Sequence, residues 1–319
     1  MDWLPAWLER WEATLNPRHP ERARPPARVL GYGEISTVLV IDHPDLVHFA
    51  IKRMPMFQDE EEVTVYLTLH ETYLQHLTRI GISVPETKLI PVPRQPGGWA
   101  IYILQRRLPE PCLAHRLLRR LALHDALRLT RAILDATRRV FHYNATNEAG
   151  VALGFDAQIA NWAVINLPEG DEHLPTEIQL VYFDTSTPLL RRDGKEQLNP
   201  DLFLRSAPSF LVWIMRWMFL EDVLNRYYDL RQVVLDVIAN FYKEKRGEWI
   251  PALVKAVNRW REAWPELTGP MYTVEEVRRY YRQDAFIWEF YLKARKLDRW
   301  LHGVMGRDYP YILPEKIER

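Results

Sequence analysis

The 319-residue chain holds a single cysteine, Cys112, and carries no excess of charge of either sign. One cysteine cannot form an internal disulfide, so a reducing compartment is its natural setting. Lys plus Arg and Asp plus Glu number 42 each, so the chain as a whole produces no field that steers it to nucleic acid or anionic lipid. Only a local charged patch stays open, and we expect neither nucleic acid nor a membrane among its partners.

Long hydrophobic runs are also missing. Residues 210–220 form the most apolar stretch, but Arg216 interrupts it, and it is shorter than the roughly 20 apolar residues that span a bilayer. We interpret this stretch as a buried helix. Residues 1–5 contain no apolar run of the kind found in a signal peptide, so the sequence favours a cytoplasmic location.

The N-terminal residues predict a helix followed by an extended linker. Within residues 3–15, apolar side chains recur at helical spacing: Trp3, Leu4, Trp7, Leu8 and Trp11. We expect this amphipathic helix to pack on the body of the protein, with docking to a partner or a membrane as the alternative. Four prolines within residues 16–28 favour an extended linker.

Residues 28–104 predict five short β-strands with one helix after the third. A turn at residues 42–45 separates two of the strands. Residues 59–79 have helical period, and their apolar stripe consists of Val63, Leu67, Leu74 and Leu77.

After residue 105 the pattern becomes mainly helical, with short strands near 162–165 and 179–183. The predicted class is therefore α+β, with a small antiparallel sheet before a larger helical part. We divide the chain into a helix and Pro-rich linker, an N-terminal lobe and a C-terminal lobe, at residues 1–27, 28–106 and 107–319.

Two glycines mark the turn between the first two strands. In residues 31–38 (Gly-Tyr-Gly-Glu-Ile-Ser-Thr-Val), Gly31 and Gly33 allow a backbone to approach phosphate groups and direct its N–H groups towards them. A strand follows instead of the helix of a dinucleotide-binding motif, and Ser36 stands at the third glycine position. A simple hairpin turn is the alternative reading.

Lys52 lies in an apolar strand, residues 49–52 (Phe-Ala-Ile-Lys). A buried lysine requires an anionic partner, because desolvation of an unpaired charge costs several kcal/mol. One candidate is a phosphate bound under the glycine loop. Another is a glutamate on the following helix, where we favour Glu71 over Glu60 and Glu62. The alternative is a lysine at a strand edge with a solvated tip.

Three further polar residues follow in the helical part. Asp156 can accept a proton from an attacking hydroxyl, and the amide oxygen of Asn161, five residues later, can coordinate magnesium. Asp184 ends the apolar run at residues 180–183, where a carboxylate is costly unless it binds a cation or several N–H donors. An Asx turn with the Thr-Ser-Thr that follows is the alternative for Asp184.

The order and spacing of these segments resemble the protein kinase-like fold, over about residues 28–190, and within it the branch of aminoglycoside and choline phosphotransferases. The resemblance implies a bilobal fold with ATP and Mg²⁺ between the lobes, and a small hydroxyl- or amine-bearing acceptor. Residues 71–85 resemble the branch's regulatory helix and the turn after it, and residues 103–105 its adenine-binding hinge. The implied roles are phosphate binding at the glycine loop and Lys52, an ion pair of Lys52 with Glu71, hinge contacts at Gln105, catalysis by Asp156, and metal coordination by Asn161 and Asp184.

The sequence departs from this family at four positions. Phe155 precedes the catalytic aspartate where the family usually has His or Arg, and Gln158 stands where protein kinases have a lysine. Thr-Ser-Thr follows the second acid, and Ser36 replaces the third loop glycine. These departures keep a second hypothesis open, a nucleotide-binding or inactive pseudokinase that acts on a protein partner as a scaffold or regulator.

The histidines suggest no metal site of another kind. His70 and His76 are six residues apart, which places them on different sides of their helix. We interpret both as surface histidines or core histidines with satisfied hydrogen bonds.

Overall fold

A computed structural model of the chain describes residues 2–33, 35–167, 173–205, 208, 212, 224–264, 267 and 269–314. Most of the apolar stretch at 210–220, which we interpret as a buried helix, lies outside these ranges. In the described part of the chain, no helix is long and apolar enough to cross a membrane.

The predicted α+β class is confirmed: an antiparallel sheet comes first, and a mainly helical region follows. The sheet has the strand order β1-β2-β3-β5-β4 and is formed by β1 (Ala27–Tyr32), β2 (Thr37–Ile41), β3 (Phe49–Phe57), β4 (Thr87–Pro93) and β5 (Trp99–Arg106). The one predicted helix follows the third strand as α2 (Glu60–Arg79). Asp59 caps this helix by accepting a hydrogen bond from the backbone N–H of Glu62 at 2.9 Å.

The N-terminal helix α1 (Leu4–Glu12) packs on one face of the sheet, as the sequence predicts. Leu4, Leu8 and Trp11 are buried there together with Leu39 and Ile51 of the sheet. Burial of these side chains, at roughly 1.5–3 kcal/mol each, explains why the helix lies on the body of the protein.

Helix α2 covers the opposite face of the sheet, but its inward face differs from the predicted one. The buried positions include Val63, Tyr66, His70, Tyr73 and Leu77, whose spacing alternates between three and four residues. Leu67 and Leu74, which we expected in the stripe, lie at its margin. The helix is therefore rotated relative to our expectation, because two tyrosines supply the larger apolar area.

The C-terminal region contains the remaining described helices and several short strands. Its helices are α3 (Ala114–Leu117), α4 (Leu123–Thr146), α5 (Leu230–Lys243), α6 (Ile250–Glu262) and α7 (Val274–Val304). Its strands are β6 (Val151–Leu153), β7 (Trp162–Val164), β8 (Leu180–Tyr182), β9 (Leu190–Arg192) and β10 (Lys195–Glu196). Strands β7 and β8 are the two predicted ones, and the loops beside them carry the candidate site residues.

Direct hydrogen bonds join the sheet and its helix to this region. The hydroxyl of Tyr66 donates to the carbonyl of Ser186 at 2.9 Å, and that of Tyr73 donates to the carbonyl of Gly154 at 3.0 Å. Both tyrosines are buried on α2. The helix thus fixes the two loops that precede and follow strands β7 and β8.

Candidate functional site

Lys52 and Asp184 meet between the sheet and the helical region. The ammonium of Lys52 donates to Oδ1 of Asp184 at 2.7 Å and to the carbonyl of Phe183 at 3.1 Å. Lys52 itself is 5% exposed, whereas the side chain of Asp184 is 37% exposed. The pair therefore has its lysine inside the protein and its carboxylate at an opening.

Local contacts keep Asp184 ionised. Burial acts to raise the pKa of its carboxyl, but the charge of Lys52 and hydrogen bonds from Lys52 and Ser186 outweigh it, so the pKa lies below its ordinary value. The hydroxyl of Ser186 donates to the same oxygen, Oδ1, at 2.7 Å. The backbone of Ser186 also bonds this carboxylate, which is the contact of the Asx turn that the sequence left open, and together the two contacts hold the carboxylate in place.

Asn161 links the loop of Asp156 to the segment that ends at Asp184. Its amide nitrogen donates to the backbone carbonyl of Asp156 at 3.1 Å, and its backbone carbonyl accepts from the N–H of Phe183 at 3.0 Å. No described residue donates a hydrogen bond to its side-chain oxygen. An amide oxygen and a carboxylate oxygen are ligands that Mg²⁺ accepts, usually with phosphate oxygens and water completing the shell. The donor set thus fits magnesium, and the described residues hold no cluster of three acidic, His or Cys side chains that would suit another metal.

The loop that carries Asp156 is fixed along its length. Phe155 is fully buried and its N–H donates to the carbonyl of Tyr227 at 2.8 Å. Further on, the N–H of Ile159 donates to the side-chain oxygen of Asn240 on α5 at 2.8 Å. Asp156 itself is half-buried and accepts from the N–H of Gln158 at 3.2 Å. The carboxylate is accessible while its backbone is held on both sides.

The glycine segment forms the turn between β1 and β2. The N–H of Gly33 donates to the carbonyl of Ser36 at 2.8 Å, and a Cβ at Gly33 would lie 2.9 Å from the Ser36 hydroxyl. A side chain at Gly33 would therefore require the Ser36 hydroxyl to move. A Cβ at Gly31 would meet nothing within 4 Å, so open space lies beside that position. Gly31 pairs with Val38, which pairs with Lys52 in the next strand, so these residues lie side by side across the sheet.

Gln105 lies inside strand β5 and not beyond it. Its register partners are Ala50 in β3 and Thr87 in β4, so it sits between two neighbouring strands, and the chain leaves the sheet only after Arg106. Its side-chain amide donates to the hydroxyl of Thr185 at 3.2 Å. The predicted hinge residue thus contacts the segment after Asp184 through its side chain.

The predicted ion pair of Lys52 with Glu71 is absent. Glu71 is exposed and its carboxylate accepts from Gln75 at 3.3 Å. The rotation of α2 brings His70 inward instead, 1% exposed. Burial, together with the nearby charge of Lys52, lowers the pKa of His70 to about 4, so its ring is neutral at pH 7.

Our interpretation of His70 as a satisfied or surface histidine is wrong in one respect. Its Nε2 is buried and has no hydrogen-bond partner among the residues that the structure describes. His76 does have a partner, because its Nδ1 lies 2.9 Å from the hydroxyl of Tyr143. The alternating spacing of the residues buried on α2 is the sequence signal that would have placed His70 inward.

A second cation, Lys243 of α5, approaches the loop that carries Asp156. The ammonium of Lys243 lies 3.3 Å from the amide oxygen of Gln158 and 3.1 Å from Oδ2 of Asp284. Gln158 is the residue that stands where protein kinases have a lysine. Lys243 is 85 residues away in sequence, so no local pattern could have indicated it.

The chain belongs to the family described as "Family of unknown function (DUF6206)", which matches residues 18–299. Among solved structures, it is similar to "WaaP in complex with acyl carrier protein", with 16% sequence identity, a TM-score of 0.32, and coverage of 72% of this chain and 87% of that chain. No curated protein matches.

Proposed function

We propose that this protein is an ATP-dependent phosphotransferase of the kinase-like type, with a small hydroxyl- or amine-bearing molecule as acceptor. The observation that carries the proposal is the 2.7 Å contact of Lys52 with Asp184, made across two parts of the chain that share no local sequence. Both groups have roles in a phosphotransferase. Phe183, which precedes Asp184, is hydrogen-bonded to Asn161, and the amide of Asn161 in turn donates to the backbone of Asp156.

Each residue has a defined task in this proposal. Lys52, held inside the sheet, binds phosphate oxygens with its ammonium once it turns from Asp184. Asp184 and the amide oxygen of Asn161 would hold the metal. Magnesium-bound ATP would supply the phosphoryl group, and its metal would offset the charge of the phosphates. Asp156 orients the acceptor and takes its proton, and the fixed loop supports this task, since a positioned base is more effective than a mobile one.

The alternative is a protein that binds nucleotide without turnover. It is favoured by a specific observation: the aromatic side chain of Phe155 occupies the position before Asp156 and packs against Trp162 and Tyr182, with ring centroids 5.9 and 4.7 Å away. An apolar anchor there cannot donate the hydrogen bonds of a His or Arg. Gln158 likewise carries no charge, although Lys243 lies beside it.

Calorimetry with ATP, with and without magnesium, tests the shared part of both readings. We expect magnesium-dependent binding by the wild type and its loss in Asp184→Ala. Asp45→Ala, which removes an exposed carboxylate from the turn between β2 and β3, is the matched control and should bind as the wild type does. Absence of binding by the wild type would contradict both the enzyme and the nucleotide-binding reading.

Asp156→Asn separates the two readings. It keeps the size of the side chain and removes its ability to accept a proton. In an enzyme, phosphoryl transfer to the best acceptor from a panel of small alcohols and amines should fall by roughly 100-fold or more while ATP affinity is retained. If the wild type binds ATP but neither phosphorylates an acceptor nor hydrolyses ATP, the result would favour the nucleotide-binding scaffold.

A further inference from the structure

A cavity of about 990 Å³ lies beside the edge strand β1, and none of the proposed phosphotransfer residues lines it. Its walls come from residues 17–21, from β1 and β2, from the turn after β2, from the end of α7 and from the C-terminal residues Ile312 and Leu313. Small-molecule sites in proteins have volumes of roughly 300–1,000 Å³. The cavity is thus large enough for an organic ligand.

The walls carry an excess of positive charge. Five cationic side chains and two carboxylates line the cavity, a difference of 5 − 2 = 3: Arg18, Arg28, Arg107, Lys296 and Arg299, against Glu21 and Asp42. One of the two carboxylates, that of Glu21, already lies 3.1 Å from Nδ1 of His19. In a chain with 42 charges of each sign, this is the local patch that the composition left open.

The arginines of the cavity differ from those that join elements elsewhere. Arg53, Arg205 and Arg231 each bind a carboxylate, on Glu12, Glu62 and Glu276 respectively. In contrast, four cavity arginines make no ion pair with any described residue: Arg18, Arg28, Arg107 and Arg299. These arginines all line one cavity, and its excess of positive charge suits an anionic ligand.

Specific contacts hold the walls in place. A Cβ at Gly303 would lie 3.1 Å from a guanidinium nitrogen of Arg18, so the missing side chain lets the N-terminal segment approach the end of α7. The hydroxyl of Thr37 donates to the carbonyl of Ile312 at 3.2 Å and fixes the C-terminal residues on β2. The indole of Trp11 donates to the carbonyl of Pro25 at 2.8 Å and fixes the linker.

The lining also has an aromatic and apolar part. Trp300 and Tyr32 are 61% and 47% exposed, and Val29, Val47 and Leu313 also line the cavity. Flat rings of this kind stack on planar or apolar bodies. A ligand that uses the whole cavity therefore combines negative charge with an apolar or aromatic group.

We propose that this cavity binds a small phosphomonoester that carries an aromatic or apolar body. A phosphomonoester has a charge of about −1.5 to −2 at pH 7 and three acceptor oxygens. Each arginine can bind two of these oxygens at once through its guanidinium group. A ligand with a single carboxylate offers only two oxygens and would engage fewer of the arginines. The proposal is independent of the proposed phosphotransferase activity, because the two sites share no lining residue.

The test is calorimetry with 1-naphthyl phosphate on the full chain and three variants. The double variant Arg18→Gln/Arg299→Gln removes two cavity charges, and Arg10→Gln/Arg279→Gln removes two exposed charges outside the cavity, one of them on the same helix α7. Asp184→Ala alters only the phosphotransfer site. We expect the cavity variant to bind at least roughly tenfold more weakly, and the other two to bind as the wild type does.

Each other outcome overturns the proposal. Failure of the wild type to bind either 1-naphthyl phosphate or phosphatidate vesicles removes the site. An equal loss in the control double variant shows only general attraction of an anion, and a loss in Asp184→Ala assigns the compound to the phosphotransfer site. Unchanged thermal melting of the cavity variant excludes a folding defect as the cause of weaker binding.

A phosphatidate headgroup presents the same chemistry, so co-sedimentation with phosphatidate vesicles is measured alongside. Binding of the soluble compound alone assigns the cavity to a free phosphomonoester. Co-sedimentation that Arg18→Gln/Arg299→Gln abolishes assigns it to a lipid headgroup, and both results support the proposal. Co-sedimentation that this variant leaves unchanged places the lipid elsewhere and contradicts a headgroup in the cavity.

Discussion

Lys52 and Arg53 are adjacent in strand β3 and bind carboxylates on opposite faces of the sheet. Side chains alternate along a strand, so Lys52 reaches Asp184 at 2.7 Å, while Nε of Arg53 donates to Glu12 of helix α1 at 2.8 Å. One pair lies at the candidate site. The other fixes the N-terminal helix. Substitution of one cation therefore tests nucleotide binding, and substitution of its neighbour tests the stability of the fold.

Replacement of Lys52 should remove nucleotide binding and leave the fold intact. Lys52→Met keeps the length of a buried side chain, and the Asp184 carboxylate that it leaves is partly solvated. We therefore expect the protein to stay folded, with the free energy of unfolding lower by about 1–3 kcal/mol, less than for a fully buried pair. The affinity for magnesium-bound ATP should fall at least roughly tenfold, because a charge-assisted contact to phosphate is lost. Calorimetry and urea unfolding measure the two quantities.

Glu71→Gln is the matched control for this prediction. The side chain of Glu71 is exposed and bonded only to Gln75 among the described residues, so the substitution should alter ATP affinity by less than about twofold. A loss of affinity in Glu71→Gln comparable to that in Lys52→Met would mean that α2 turns when nucleotide binds and that the two residues pair in that state.

Replacement of Arg53 should have the opposite result. Arg53→Met leaves the carboxylate of Glu12 buried without its guanidinium, and among the described residues only Arg94 and the hydroxyl of Tyr102 remain as its partners. Removal of one member of a buried ion pair costs about 3–5 kcal/mol, so unfolding in urea should occur at a clearly lower concentration. The folded fraction should bind magnesium-bound ATP as the wild type does. Loss of binding by folded Arg53→Met would show that the two faces of the sheet are coupled.

The same pair predicts a pH dependence of stability. Burial acts to raise the pKa of Glu12, but the charge and hydrogen bonds of Arg53 outweigh it and hold this pKa below 4.5. The unfolded chain then takes up this proton at a higher pH than the folded one. The stabilisation is therefore present above about pH 4.5 and is lost as the pH falls through the lower pKa of the folded state.

Glu12→Gln isolates this contribution, because the amide does not titrate. Its deficit in unfolding free energy relative to the wild type should be largest at neutral pH and should narrow below about pH 4.5. Urea unfolding of both proteins at about pH 7, 5 and 3.5 measures the gap. A gap that stays constant over this range would show that Glu12 has the same pKa in the folded and unfolded states.

The five strands and their order along the chain were predictable because each strand has its own local signal. The turn at residues 42–45 and the punctuation by Gly and Pro lie within a few residues of the strands they end. The candidate residues were likewise found from local segments. The contacts of these residues could not be predicted in this way, because the partner of Lys52 depends on the rotation of α2 by a fraction of a turn. That rotation is set by packing of Tyr66 and Tyr73 against the helical region.

Contacts between distant parts of the chain left still less trace in the sequence. Lys243 beside Gln158 and Asn240 beside Ile159 are separated from their partners by 85 and 81 residues. Both come from α5, which reads from its sequence as an ordinary buried helix. A polar side chain on such a helix has no recognisable partner until the fold is known. These residues were therefore missing from our expectation of the site.

Asn240 gives the last prediction, on the loop that carries Asp156. Asn240→Ala leaves the N–H of Ile159 buried without an acceptor, which costs about 1–3 kcal/mol. We also expect the loop to become mobile, so exchange of the Ile159 amide hydrogen should accelerate more than exchange in the strands of the sheet. If the protein is a phosphotransferase, its turnover should fall more than its ATP affinity, since Asp156 orients the acceptor and does not hold the nucleotide.

Asn258→Ala is the control, because Asn258 holds the backbone of Tyr272 through two similar hydrogen bonds, at 2.9 and 3.0 Å. The control should lose comparable stability with the Ile159 amide still protected, and equal acceleration in both variants would show that Asn240 supports the whole fold and has no particular effect on the loop.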